Sequence, residues 1–314
     1  MRLCVVGAGA IGGHLALRFA KGGMAEVSVL ARGATLAALR AGGIAVEAPD
    51  GRFAMPLRAE EDPAALGPQD AVIVAVKAHS LPALAPTLAP LLGPETPVVF
   101  VVNGIPWWWE EGPSALDPGG VIAAALPRPR VLGGVVWSAC TVTAPGVVRV
   151  QSATSRLLIG EPAGGLSPRA ARLAAALEAG GMGGEASADI RAEIWVKLLN
   201  NLSNGPICLL TRRDMRASFS DPVLLEAARQ VVREGMAIAA ALGHPVPEGA
   251  EARSLRSVTI PHKPSILQDL EAGRPLEFEA LFEAPLRLAR AAGVAAPLLE
   301  LLVALARQGA NRPA

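Results

Sequence analysis

Six residues near the start, Gly7-Ala8-Gly9-Ala10-Ile11-Gly12, constrain this chain more than any other feature. They follow the apolar run Arg2–Gly7, which reads as a short buried strand, and they open a segment from Ile11 to Lys21 that reads as a helix. In that setting each glycine of a G-x-G-x-x-G has a physical purpose: the tight turn, close approach of backbone to a pyrophosphate, and close helix–strand packing. The helix start adds free N–H donors and the positive end of its dipole. The loop points to a dinucleotide-binding α/β unit, with Gly7, Ala8, Gly9, Ala10, Ile11 and Gly12 as cofactor-binding positions. The same motif would also suit a glycine turn in a fold that has lost its cofactor.

The following pattern extends this reading. Strands are expected at Glu26–Leu30, Ile44–Ala48, Phe53–Leu57, Ala71–Val76 and Val98–Val102, with helical stretches at 34–40 and 81–92. Pro49-Asp50-Gly51 punctuates a hairpin between the second and third of these strands, Ile44–Ala48 and Phe53–Leu57. Strands alternating with helices imply βαβ units and a mainly parallel sheet. Short β-like segments at 131–136, 141–143, 147–150 and 156–159 precede a helix at 168–179 and a weak strand at 182–187. Beyond 188 only helices fit: 189–210, 221–242, 248–257, 265–272, 277–292 and 298–308. The expected division is an α/β domain over 1–187 and an all-helical domain over 188–314.

The strand Glu26–Leu30 is followed by Ala31-Arg32-Gly33, with no carboxylate at its tip. A site selective for NAD usually carries an acid about 20 positions after the glycines to bind the ribose hydroxyls. A guanidinium instead pairs well with a phosphate, so Arg32 favours NADP. Lys77 and Asn103 stand just after the strands expected at 71–76 and 98–102. The carboxyl ends of parallel strands are where open α/β sheets bind ligands.

Composition narrows the chemistry. Of 314 residues 51% are hydrophobic, enough to rule out intrinsic disorder. A net charge of +1 gives no basic surface for nucleic acid or membrane. Three scattered cysteines in apolar runs suit small buried hydrophobes in a reducing compartment, and no Cys/His spacing suits a metal. No apolar run reaches about 18 residues, so no membrane span is expected, and the glycine-interrupted N-terminus is not a signal peptide; a cytoplasmic location follows. There is no tyrosine, which excludes a tyrosine proton donor. Only four lysines (Lys21, Lys77, Lys197, Lys263) stand among 29 basic residues, so an amine acid or base has few candidates.

One of the four sits in an unusual helix. Ile194–Thr211 carries one charge, Lys197, in 18 residues. At 100° per residue Lys197, Asn201 and Asn204 fall within about 60° of one another. Trp195, Leu198, Leu199 and Leu202 cover the opposite face. Asparagines and a single lysine, in place of several surface charges, suggest an enclosed polar stripe. There a desolvated lysine can serve as proton donor or base. A lysine snorkelling to the surface beside loop-capping amides is the other reading of the same spacing.

Assembled, these pieces resemble the ketopantoate reductase family over essentially the whole chain. The resemblance is carried by Gly7–Gly12 with the basic residue after the second strand, by Val76-Lys77-Ala78 and by Val102-Asn103-Gly104. It continues in Arg191-Ala192-Glu193-Ile194-Trp195-Val196-Lys197-Leu198, in Lys263 to Asp269, and in Gly273-Arg274-Pro275-Leu276-Glu277. It implies a Rossmann-type domain joined to a helical domain, the active site between them, and NADPH-dependent reduction of 2-dehydropantoate to (R)-pantoate in pantothenate biosynthesis. By resemblance Lys197 is the general acid, Lys77 and Asn103 line the cofactor pocket, and Asn201 and Ser265 contact substrate. Glu277 contacts cofactor and orients the site, while Asp269 supports it structurally. Family dimers imply a homodimer as one assembly, with no interface marked in the sequence.

Three departures bear on the substrate. The family usually has a second substrate asparagine, directly before a proline, eight residues after the lysine; here that position is Gly205, and Asn204, one residue earlier, is the substrate-binding candidate that a small local shift would put in its place. Trp107-Trp108-Trp109 follows Pro106, either as loop packing or as bulk that reshapes the pocket. Arg212-Arg213-Asp214 is more charged than its counterpart. Reduction of another 2-oxo acid or a bulkier carbonyl compound is therefore the alternative, with a non-catalytic NADP sensor as the rival of a different class.

Overall fold

The computed structural model describes residues 1–256 and 260–310. The chain divides into two compact units. One comprises Met1–Val102 and Pro106–Ile190; the other comprises Asn103–Ile105 and the chain from Arg191. The sequence places this division at 187/188 and does not anticipate that three residues from the middle of the first half belong with the second.

Strands of the first unit are β1 (Arg2–Val6), β2 (Glu26–Leu30), β3 (Ile44–Ala48), β4 (Gly51–Met55), β5 (Arg58–Glu60), β6 (Ala71–Val74), β7 (Val98–Phe100), β8 (Val131–Trp137), β9 (Cys140–Ala144), β10 (Val147–Val150), β11 (Arg156–Gly160) and β12 (Gly183–Ser187). Eight form a sheet in the order β12-β11-β8-β7-β6-β1-β2-β5. Every pairing in it is parallel except β11 with β8. The central strands β6 and β7 are buried at every residue, the pattern of parallel strands covered on both faces. The chain leaves β1 for β2 on one side and later returns to β6 on the other. Such a reversal of strand order opens a crevice at the carboxyl end of β1, where Gly7 begins the glycine loop.

The hairpin β3–β4 is not part of this sheet. It joins β10 and β9 in a second sheet ordered β4-β3-β10-β9. The helix Ala10–Lys21 packs against strands of both sheets, and its residues from Gly12 to Phe19 are all buried. A Cβ on Gly13 would lie 2.9 Å from Val148 and 3.2 Å from Ile44, so the smallest residue permits the second sheet to approach. Burial on both sides strands two polar residues of the helix, His14 and Arg18. Arg18 answers with a bidentate pair to Asp50 at 2.7 Å for each bond, and its Nε donates to His14 Nε2 at 3.2 Å. His14 Nδ1 lies 3.3 Å from Ser138 Oγ. Desolvation and the Arg18 charge push the imidazole down to about 4.

In the second unit the helix Ile190–Thr211 is followed by helices Met215–Phe219, Pro222–Ala241, Ala250–Leu255, Ser265–Glu271, Ala284–Ala291 and Pro297–Ala310. Trp195, Leu198, Leu199 and Leu202 are buried as their spacing requires. Leu199 packs with Val232 and Ala250. A Cβ on Gly235 would lie 2.6 Å from Leu199, so Pro222–Ala241 crosses closely there. The helix expected at 248–257 runs over Ala250–Leu255; residue 257 lies outside the described residues, as do the last four of the second domain. The helix expected over 277–292 is interrupted: Glu279–Glu283 is a π-turn that leads into Ala284–Ala291.

Candidate active site

The glycine loop has the geometry its spacing implies. Gly7 holds φ +93, and a Cβ there would lie 2.6 Å from Val76. A Cβ on Gly12 would fall 1.8 Å from the Gly7 carbonyl oxygen, so only glycine allows the helix to start against the turn. Over Gly9, by contrast, a Cβ meets no atom within 4 Å. Gly9 caps the helix without a side chain, and no acid occupies the first turn. Open space above uncapped N–H donors fits a pyrophosphate, with Ala8, Ala10 and Ile11 as its small or apolar neighbours. These residues fit a dinucleotide.

Arg32 is exposed and caps the helix Gly33–Gly42 just beyond β2. A carboxylate does stand beside this tip, which the spacing gave no means of finding. Glu60 of β5 pairs with Leu30 in the sheet. Its oxygens are held by Arg40 at 2.6 Å and approached by Arg58 at 3.6 Å. Lys77 lies three residues beyond the end of β6, which stops at Val74 and not at Val76. It is partly buried and caps the short turn Ala78–Ser80. The three tryptophans are buried within the first unit. Trp107 meets Phe100 edge-on at 5.5 Å, and Trp108 packs over Gly133. They are core packing around a short turn.

The second unit holds Lys197 and the asparagines of its polar stripe. Lys197 Nζ donates to Asn103 Oδ1 at 2.7 Å, joining two residues 94 positions apart. Burial pushes the Lys197 ammonium down to about 8, with the Glu277 carboxylate acting in the opposite sense. Asn201, one turn on, is partly buried. Asn204 is 3% exposed, and its amide nitrogen donates to Asn200 Oδ1 at 3.0 Å. Among the described residues its Oδ1 is buried without a partner, an acceptor still to be met by a donor from ligand or water. At Gly205 a Cβ would lie 2.8 Å from the Phe282 ring and 3.7 Å from Ile266, so an aromatic side chain packs where an asparagine would have to fit.

Ser265 opens the helix Ser265–Glu271 and is exposed. Lys263 is not part of a polar pocket: its ammonium pairs with Glu271 at 2.8 Å. Asp269 pairs with Arg274 at 2.8 Å, a brace at the far end of the same helix. The charged Arg212-Arg213-Asp214 is a helix-to-helix turn, in which Arg212 has φ +56 and Asp214 caps Met215–Phe219. No three His, Cys, Asp or Glu residues among those described are grouped to hold a metal ion. No described helix is long and apolar enough to cross a membrane.

An open glycine cradle on a parallel sheet, together with a desolvated lysine on a helical unit, is the make-up of a dinucleotide-dependent oxidoreductase. Family models agree: that described as ketopantoate reductase PanE/ApbA matches residues 3–164, and its C-terminal counterpart matches 189–310. A 2-dehydropantoate 2-reductase from Mesorhizobium japonicum is 40% identical over 98% of this chain and 97% of its own. Among solved structures, a chain from Ralstonia solanacearum MolK2 assigned to the ketopantoate reductases has a TM-score of 0.89 at 41% identity, covering 98% of this chain and 97% of that one. The 2-dehydropantoate 2-reductase of Methylococcus capsulatus has a TM-score of 0.85 at 30% identity, covering 100% and 99%. The chain belongs to the ketopantoate reductase family.

Proposed function

We propose that this protein reduces 2-dehydropantoate to (R)-pantoate with NADPH, and that Lys197 is the general acid. NADPH, when bound, supplies the hydride that the C2 carbonyl carbon accepts. The Gly7–Gly12 backbone and the helix start at Ala10 hold the pyrophosphate. Arg32 faces the 2′-phosphate, a role favoured by the arginines that already hold Glu60. Lys77 and Asn103 line the cofactor side. Lys197 stabilises the negative charge that develops on the carbonyl oxygen and gives that oxygen its proton. Asn201 and Ser265 bind substrate hydroxyl and carboxylate groups, with the unmet Asn204 oxygen as a further acceptor. Glu277 offsets part of the desolvation of the ammonium and so keeps it charged in the resting protein.

The observation that carries this reading is the lysine itself. An ammonium with a pKa of about 8 is mostly protonated at neutral pH, by roughly ten to one, yet gives up its proton far more readily than an ordinary lysine. The pathway is pantothenate biosynthesis, in the cytoplasm. A second reading, reduction of another 2-oxo acid with an apolar group, is favoured by the Phe282 ring against Gly205. Oxidation of NADPH and of NADH should be followed against a panel of 2-oxo acids that includes ketopantoate. The highest kcat/KM is expected for ketopantoate with NADPH; a clearly better apolar 2-oxo acid would transfer the assignment to the second reading.

A further inference from the structure

The π-turn at Glu279–Glu283 has a cause in the sequence and a consequence at the lysine. In it the Ala284 N–H donates to the Glu279 carbonyl, five residues back. The next carbonyl, that of Ala280, would need a donor at residue 285 in the same register. Residue 285 is proline and has no N–H. The Ala280 carbonyl is thus left free by its own helix, and the Ile105 N–H donates to it at 2.8 Å. Gly104 lies directly over the same peptide with φ +78. A Cβ there would stand 2.3 Å from the Ala280 oxygen and 2.5 Å from its carbonyl carbon. The residue before Gly104 is Asn103, whose oxygen accepts the Lys197 hydrogen bond.

We propose that the π-turn is a positioning device for the proton donor, in which the Ala280 carbonyl, through Ile105 and Gly104, sets Asn103 against Lys197. A lysine stem has several rotatable bonds and three equivalent donors, so an unheld ammonium samples many directions. One fixed acceptor selects a direction before substrate arrives, which lowers the entropic part of the barrier. Glu277, on the residues leading into the turn, is the charged group acting on the same ammonium. One short segment therefore contributes both the charge and the anchor. Gly104, Ala280 and Pro285 are positioning residues; none needs to touch substrate. The inference rests on Lys197 as general acid.

Two variants test it. Pro285→Ala returns a donor that competes for the Ala280 carbonyl, and it suits a helix. Gly104→Ala forces the loop off the same carbonyl. Both should lower kcat about tenfold, the scale for a misaligned catalytic group. Both should also move the alkaline limb of the kcat profile to lower pH, because an ammonium without its carbonyl acceptor is a stronger acid. For Pro285→Ala the thermal midpoint should not fall, which separates positioning from loss of fold. A limb left in place or moved to higher pH, whatever the change in kcat, overturns the proposal. Lys197→Ala run alongside keeps the two failures apart. If it retains turnover, the general-acid reading and the positioning role both fall. If it loses turnover while Pro285→Ala and Gly104→Ala behave as wild type, only the positioning role does.

Discussion

At the scale of single residues, the proposed chemistry rests on Lys197. Burial withdraws water from its ammonium, and the Asn103 oxygen is its neutral acceptor. Lys197→Ala is expected to keep NADPH affinity within about twofold and to lose at least a hundredfold in kcat, the usual scale for a general acid. Fluorescence titration and steady-state rates check the two halves separately. The sign of the pH dependence follows from the role: the donor must be protonated, so reduction falls as pH rises through about 8. A profile flat from pH 7 to pH 10 would remove the lysine from the mechanism. Four lysines and no tyrosine made this residue visible in the sequence. Its acceptor's distance and Glu277's effect were not visible, because both come from segments far along the chain.

At the scale of elements, two close contacts decide what the helices can do. The Gly12 backbone rests on the Gly7 carbonyl, so the helix Ala10–Lys21 starts flush against the turn with its N–H groups open. Gly12→Ala must push the helix away. It is expected to cost about 1–3 kcal/mol, as overpacking does, and to weaken NADPH binding at least tenfold. Urea unfolding and cofactor titration measure the two effects, and unchanged cofactor affinity would count against the cradle. The helix spacing was legible here because strand, glycines and helix are contiguous. The helix expected over 277–292 was legible in its apolar period but not in its register. A single proline lies within the tolerance of such a pattern, and its missing N–H matters only because the Ile105 donor is brought to that peptide. Similarly, β3–β4 was readable as a hairpin, whereas its place beside β10 depends on pairing about 100 residues apart.

At the scale of the whole molecule, the glycine loop belongs to the first unit, and Lys197 with Asn103 to the second. The first unit carries an acid-sensitive fastening. His14 is buried and neutral, with its pKa down at about 4, whereas in the unfolded chain it would titrate near 6.5. Between those values the unfolded state binds more protons, so stability falls as pH drops from about 6.5 to about 4, by roughly 3 kcal/mol in all. Asp50 adds to the loss at lower pH, because the Arg18 hydrogen bonds hold its carboxyl below the usual range. The urea midpoint should decline through that window, and His14→Gln should show a shallower decline even if it is less stable at pH 8. An equal slope in the variant would place the acid sensitivity elsewhere. Local alternation and glycine spacing were sufficient to read an α/β half and a helical half, since each is a property of contiguous residues, and the scarcity of titratable amines was sufficient to single out Lys197. Which distant groups meet them was settled only by tertiary packing: Asn103 against Lys197, Ala280 against Ile105, Phe282 against Gly205. A hydrogen bond or a ring contact between segments separated by scores of residues leaves no periodic trace in either one.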